Sequence, residues 1–120
     1  MRFSPLVLAG ALVFAATPAM AQMFFAGRPV RGLSQQDADL LAESVQRLND
    51  MPNLAVGAKD SWSDPRTRSG GENVVTAITE DSGTVCHKLR HEFTVRGRQP
   101  TRIYNLTWCR QPDGQWKVKS

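Results

Sequence analysis

The sequence predicts a small α+β domain in which one amphipathic helix covers an antiparallel sheet of about four or five strands. Two observations carry this prediction. Apolar residues recur at helical spacing over one segment only, between Ser34 and Asp50. From Asn53 onward, short segments alternate apolar and polar residues and are separated by Gly, Pro, Asn and Asp, as in strands joined by turns.

The first 21 of the 120 residues have the features of a secretory signal peptide. Arg2 supplies a positive charge, residues 6–16 form an uncharged apolar run, and Ala19-Met20-Ala21 offers small residues at the cleavage site. The alternative, a retained membrane anchor, is less favoured because this run of 11 residues is shorter than the roughly 20 that cross a bilayer. We therefore expect an exported chain that begins at Gln22 and has no transmembrane span. Residues 22–33 are expected to be an extended or disordered lead-in, and residues 34–120 the α+β domain.

The helix is predicted over Gln35–Asp50. Ser34 and Asp37 have capping-box spacing, in which each side chain can bond to the backbone N–H of the other residue. The apolar residues at helical spacing are Ala38, Leu41, Val45 and Leu48. Pro52 prevents the helix from continuing.

Later segments have the composition of strands: 54–58, 74–79, 84–95, 102–110 and 115–119. Turn-forming residues connect them, from Trp62-Ser63-Asp64-Pro65 to Gly70-Gly71, at Asp81-Ser82-Gly83 and at Asp113-Gly114. Segment 84–95 alternates most regularly, so we expect His87, Leu89, His91 and Phe93 to share one face of the sheet.

A hairpin is predicted around Gly97-Arg98, with Gly at the first loop position as a type II′ turn prefers. Pairing Arg96 with Gln99 sets a register that places Pro100 opposite Val95. A bulge or a longer loop near Pro100 is the alternative, and it would shift this detail.

The same register places Cys86 directly opposite Cys109, at a hydrogen-bonded pair. An exported chain whose two cysteines meet in this way is expected to form a structural disulfide bond. The alternative, a redox-active pair, is less favoured because the chain has no C-x-x-C motif.

No pattern in the sequence indicates an enzyme, a metal site or a cofactor. Two histidines four residues apart could share a zinc ion on a helix. On a strand, His87 and His91 would lie about 13 Å apart, since each residue rises about 3.3 Å. The chain also lacks a Gly-x-Ser-x-Gly elbow and a phosphate-binding loop. We therefore expect both histidines to be partly buried sheet residues.

Three stretches of the chain resemble the rickettsial 17 kDa surface antigen group, small exported proteins of Gram-negative bacteria. They are the helix start Leu33-Ser34-x-x-Asp37, the turn Trp62-Ser63-Asp64-Pro65 followed by glycines, and the segment from Cys109 to Trp116, which is the most specific. Cys86 matches the family's first cysteine, whereas Arg68 and His87 stand where the family usually has Gly and Arg. The resemblance covers residues 34–116 and implies a surface-antigen β domain near the outer membrane, with no known reaction and no catalytic residues.

Together, these features predict a non-enzymatic structural or binding module of the cell envelope, located in the periplasm or at the outer-membrane surface. The alternative function is a periplasmic inhibitor of a host hydrolase such as lysozyme. Nucleic acid is not an expected partner of an exported protein, even though the formal net charge is +4.

The candidate binding residues are Arg96, Arg98 and Arg102, which surround Gly97 with no acidic residue between them. Residues 59–120 contain 11 Lys and Arg against 7 Asp and Glu. Guanidinium groups can bind phosphate through paired hydrogen bonds, so the expected partner is anionic envelope lipid or another envelope protein. The alternative is a solvated loop whose arginines only prevent pairing between sheet edges.

Overall fold

The structure is a computed structural model that describes residues 30–119, so the predicted signal peptide and most of the predicted lead-in lie outside the described residues. This part of the chain forms one helix and five strands: α1 (Gln35–Asn49), β1 (Lys59–Asp64), β2 (Ser69–Asp81), β3 (Thr84–Val95), β4 (Arg98–Arg110) and β5 (Trp116–Val118). The strands are antiparallel and neighbour one another in chain order. The predicted α+β class is confirmed.

Helix α1 begins and ends where its local signals place it. The Ser34 Oγ accepts a hydrogen bond from the Asp37 N–H, and the Asp37 Oδ2 accepts one from the Ser34 N–H, both at 3.0 Å. The helix ends at Asn49, one residue before the predicted end. No helix within residues 30–119 is long and apolar enough to cross a membrane.

The hydrophobic core lies between α1 and one face of the sheet. Leu41, Val45 and Leu48 on the apolar side of the helix are buried, whereas Ala38 is partly buried. The alternation predicted for β3 is confirmed, and its inward-facing residues are buried on the core side of the sheet. The largest apolar side chains of the core are Leu41, Leu48, Trp62, Leu89, Phe93 and Trp108. Trp62 packs on Phe93 with ring centroids 6.3 Å apart.

The first hairpin differs from the sequence prediction. Residues 54–58 form turns rather than a strand, and Trp62 lies in β1 rather than in a turn. Gly71, predicted as a turn residue, lies in β2 opposite Trp62. A Cβ atom at Gly71 would lie 2.5 Å from the Cβ of Phe93 and closer still to the Glu92 carbonyl oxygen. The close approach of neighbouring strands, which sequence composition does not reveal, therefore accounts for this glycine.

The β3–β4 hairpin also turns one residue earlier than predicted. Val95 pairs with Arg98, so the two-residue loop is Arg96-Gly97. The φ angles of these loop residues are 55° and 67°, and a type I′ turn requires positive φ at both positions. The predicted type II′ turn at Gly97-Arg98 is therefore wrong.

A bulge near the turn restores the predicted register further along the hairpin. Phe93 pairs with Arg102 and Val95 pairs with Arg98, so β4 has more residues than β3 between these two pairs. Pro100 therefore lies in the bulge and not opposite Val95. Beyond the bulge, Cys86 pairs with Cys109 as predicted. Their Cα atoms are 4.1 Å apart, which is the spacing of a non-hydrogen-bonded pair (about 4.5 Å) rather than of the predicted hydrogen-bonded pair (about 5.5 Å).

Candidate functional site

The three arginines predicted at the hairpin tip line one groove, which we call the arginine groove. Its volume is about 390 Å³. The lining residues are Gly32, Val95, Arg96, Arg98, Gln99, Pro100 and Arg102. The bulge in β4 brings Arg98 and Arg102 to the same concavity as the loop residue Arg96.

Two hydrogen bonds hold the walls of the arginine groove. The Arg96 N–H donates to the Ser69 Oγ at 3.0 Å, which ties the hairpin tip to the start of β2. The Arg102 Nη1 donates to the Arg31 carbonyl oxygen at 2.6 Å, which ties β4 to the segment before the helix. Folding thus adds Arg31 to this end of the molecule, where sequence analysis did not place it.

Within the described part of the chain, no carboxylate is paired with the arginines of the arginine groove. Three arginines elsewhere are paired with carboxylates: Arg47 with Asp60, Arg66 with Asp64, and Arg90 with Glu92. Within residues 30–119, none of the ion pairs involves Arg96, Arg98 or Arg102. An external anion would therefore meet guanidinium groups that need not first leave a carboxylate partner.

His87 is buried against the end of the helix. Its Nδ1 lies 2.9 Å from the Asn49 Oδ1, and its ring stacks on Trp116 with centroids 4.2 Å apart. Burial lowers the pKa of His87 below its usual value. Across residues 30–119, no group of three or more His, Cys, Asp or Glu side chains is arranged to hold a metal ion.

His91 lies in a chain of hydrogen bonds that crosses the core, which we call the buried polar chain: Trp108, His91, Asn73, Ser44 and Asp60. The Trp108 Nε1–H donates to the His91 Nε2 at 3.1 Å, so the His91 proton is on Nδ1, which donates to the Asn73 Oδ1 at 2.7 Å. The Asn73 Nδ2 donates to the Ser44 Oγ at 2.9 Å, and Ser44 donates to Asp60 at 2.6 Å. Burial lowers the pKa of His91 to about 4, so its imidazole is neutral at physiological pH.

The two cysteines form the expected disulfide bond. Cys86 and Cys109 are joined across β3 and β4, and both are more than nine-tenths buried. No free thiol remains in the chain. The bond therefore joins β3 to β4 at the position where β4 pairs with β5.

Comparison with known proteins agrees with the motifs in the sequence. The chain is 34% identical over 91 residues, 72% of its length, to the 17 kDa surface antigen of Rickettsia bellii strain RML369-C, and a second Rickettsia bellii 17 kDa surface antigen matches equally well. The chain spans about half (53%) of the length of these curated relatives. No protein-family profile and no solved structure matches it. The matches confirm the resemblance to the rickettsial group: over 72% of its length, this chain is similar to the 17 kDa surface antigens.

Proposed function

We propose that this chain is a non-enzymatic module of the cell envelope that binds phosphate-bearing lipid headgroups through its arginine groove. The observation that carries the proposal is the groove itself, in which three guanidinium groups without carboxylate partners among residues 30–119 line one concavity. Guanidinium groups bind phosphate oxygens through paired, charge-assisted hydrogen bonds. The name surface antigen, given to the Rickettsia bellii relatives, supports a location at the cell surface, and the predicted signal peptide supports export.

The way in which the reactive side chains are used supports a non-enzymatic role. His91 and Ser44 are fully buried in the buried polar chain, and His87 is stacked between the helix and Trp116. The cysteines are joined to each other. These groups are engaged in packing and hydrogen bonding in the interior and do not line the arginine groove.

The proposal is tested by sedimentation with vesicles that contain phosphatidylglycerol, with pure phosphatidylcholine vesicles as the neutral comparison. We expect wild-type protein to bind the anionic vesicles at low salt. Binding should weaken as salt rises, because exposed charges are screened beyond about 8 Å at physiological ionic strength. Replacing Arg96, Arg98 and Arg102 together by Gln should abolish binding.

A second triple variant separates a site from a net-charge effect. Arg110 is the last residue of β4, Lys117 lies in β5 and Lys119 follows β5 directly. All three are exposed, and replacing them by Gln changes the net charge by the same amount. This variant should retain most of the binding. Equal losses in the two triple variants would contradict the groove as the site, and absence of binding by the wild type at low salt would contradict the proposed function.

A further inference from the structure

The turn between β1 and β2, residues 65–68, lies against the tip of the β3–β4 hairpin. A Cβ atom built on Gly97 would lie 3.8 Å from the Arg68 carbonyl oxygen and 3.9 Å from the Arg68 Cβ. The Arg96 N–H donates to the Ser69 Oγ, directly after Arg68. Arg68 and the hairpin arginines therefore belong to one end of the molecule, although they come from different hairpins.

Arg68 and Arg96 both occupy left-handed backbone positions. Their φ angles are 59° and 55°, in a region that disfavours residues with a Cβ and is usually occupied by Gly, Asn or Asp. Asn53 and Ser82, the other positive-φ positions with a side chain among residues 30–119, carry the short polar residues common in turns. Two long, charged residues are thus held in strained conformations side by side, and such strain is concentrated at functional sites.

Arg68 lines a second, shallower groove, with a volume of about 440 Å³. Gly70, Gly71, Ser63 and Thr94 also line it, and none of its lining residues is shared with the arginine groove. Within residues 30–119, no ion pair involves Arg68, whereas Arg66 in the same turn is paired with Asp64 at 3.3 Å. The Asp64 carboxylate also lines this groove, but it is paired with Arg66. Arg68 therefore offers a guanidinium group that is in no ion pair among residues 30–119, at a separate concavity.

We infer that Arg68 is a second anion-binding residue and that it forms, with Arg96, Arg98 and Arg102, one two-turn surface that binds a lipid membrane face. This inference rests on the proposed function and adds to it a second point of contact with the membrane, at Arg68. Because the two grooves have separate linings, a single phosphate cannot fill both. A membrane presents many phosphates side by side, so it fits the two-turn surface better than a soluble phosphate does.

The decisive variant is Arg68→Asn, which removes the charge and keeps a residue that tolerates the left-handed conformation. We expect the affinity for phosphatidylglycerol vesicles to fall about fivefold, the effect of one basic residue at an anionic membrane surface. The melting temperature should stay equal or rise, so that lost binding cannot be ascribed to unfolding. Arg110→Gln, which removes one exposed charge at the other end of β4, should lower the affinity less than twofold.

Titration with inorganic phosphate distinguishes a membrane face from a single anion. We expect millimolar phosphate, at constant ionic strength, to leave vesicle binding unchanged. If phosphate displaces the protein, or if Arg68→Asn binds vesicles as the wild type does while the Arg96, Arg98 and Arg102 triple variant does not, the two-turn surface is wrong and the proposed function stands. If wild-type protein does not bind vesicles at low salt, both fail.

Discussion

At the scale of single residues, the core of this protein is partly polar, and its polar groups are connected. Asn73, His91 and Ser44 have no exposed surface, yet each finds a partner in the buried polar chain. The alternation of β3 predicts that His91 faces inward, because that inference needs only the period of a strand. Nothing in the sequence pairs Asn73 with Ser44, because that contact depends on how the helix crosses the sheet.

Replacing Ser44 by Ala should destabilise the protein by about 1–3 kcal/mol, because the Asn73 amide would remain buried without its acceptor. Urea unfolding at pH 7 measures the change in the free energy of unfolding. Ser63→Ala, at an exposed position of β1, is the matched control and should change this free energy by less than about 0.5 kcal/mol. Equal effects of the two substitutions would show that the Ser44 hydrogen bonds contribute nothing.

At the scale of elements, the sequence predicts best what is determined locally. Helix α1 is found almost as predicted because its start depends on Ser34 and Asp37 and its end is limited by Pro52. The two hairpins are less predictable. A glycine is present at position 71 of β2 because the neighbouring strand leaves no room for a Cβ atom. In the β3–β4 hairpin, the turn is shifted from its predicted position, and the bulge around Pro100 compensates for this shift.

The β3–β4 hairpin should depend on its disulfide bond. Cys86 and Cys109 are 23 residues apart in sequence, and closing a loop of this length stabilises a fold by about 3 kcal/mol in the chain-entropy model. We expect the Cys86→Ser, Cys109→Ser double variant to lose about this amount in urea unfolding. Adding reductant should lower the stability of the wild type to that of the double variant and leave the double variant unchanged. A wild type that is insensitive to reductant, with both thiols shown by alkylation to be free, would contradict this.

At the scale of the whole molecule, four arginines gather where the two hairpin turns meet: Arg68, Arg96, Arg98 and Arg102. Among residues 30–119, none of the ion pairs involves these four, whereas Arg47, Arg66 and Arg90 are paired with nearby carboxylates. The sequence predicts Arg96, Arg98 and Arg102 as a cluster because they lie within seven residues of one another along the chain. Arg31 and Arg68 are distant in sequence from this cluster, and only folding brings them to the same end of the molecule.

Stability should fall as the pH decreases from neutrality, in two windows with different causes. Burial holds the pKa of His91 at about 4 in the folded protein, against 6.5 for an unperturbed histidine. As the pH falls below 6.5, His91 is protonated in the unfolded chain, whereas in the folded protein it is protonated only near pH 4. The free energy of unfolding therefore decreases by up to about 3 kcal/mol across this window. His87 adds to the loss in the same direction, because burial lowers its pKa too.

The second window opens below the ordinary carboxyl pKa of 3.8. Burial alone would raise the pKa of Asp60, but hydrogen bonds from Arg47 and Ser44 outweigh it and lower the pKa. The stability that these bonds provide is present above pH 3.8 and is lost as the pH falls through the folded-state pKa of Asp60. His91→Gln separates the windows. It should be less stable at pH 7, and between pH 6.5 and 4 it should keep only the part of the stability loss that His87 causes, while the loss at lower pH remains. Urea unfolding at half-unit pH intervals measures both curves, and an unchanged slope between pH 6.5 and 4 in His91→Gln would show that His91 does not cause the first loss.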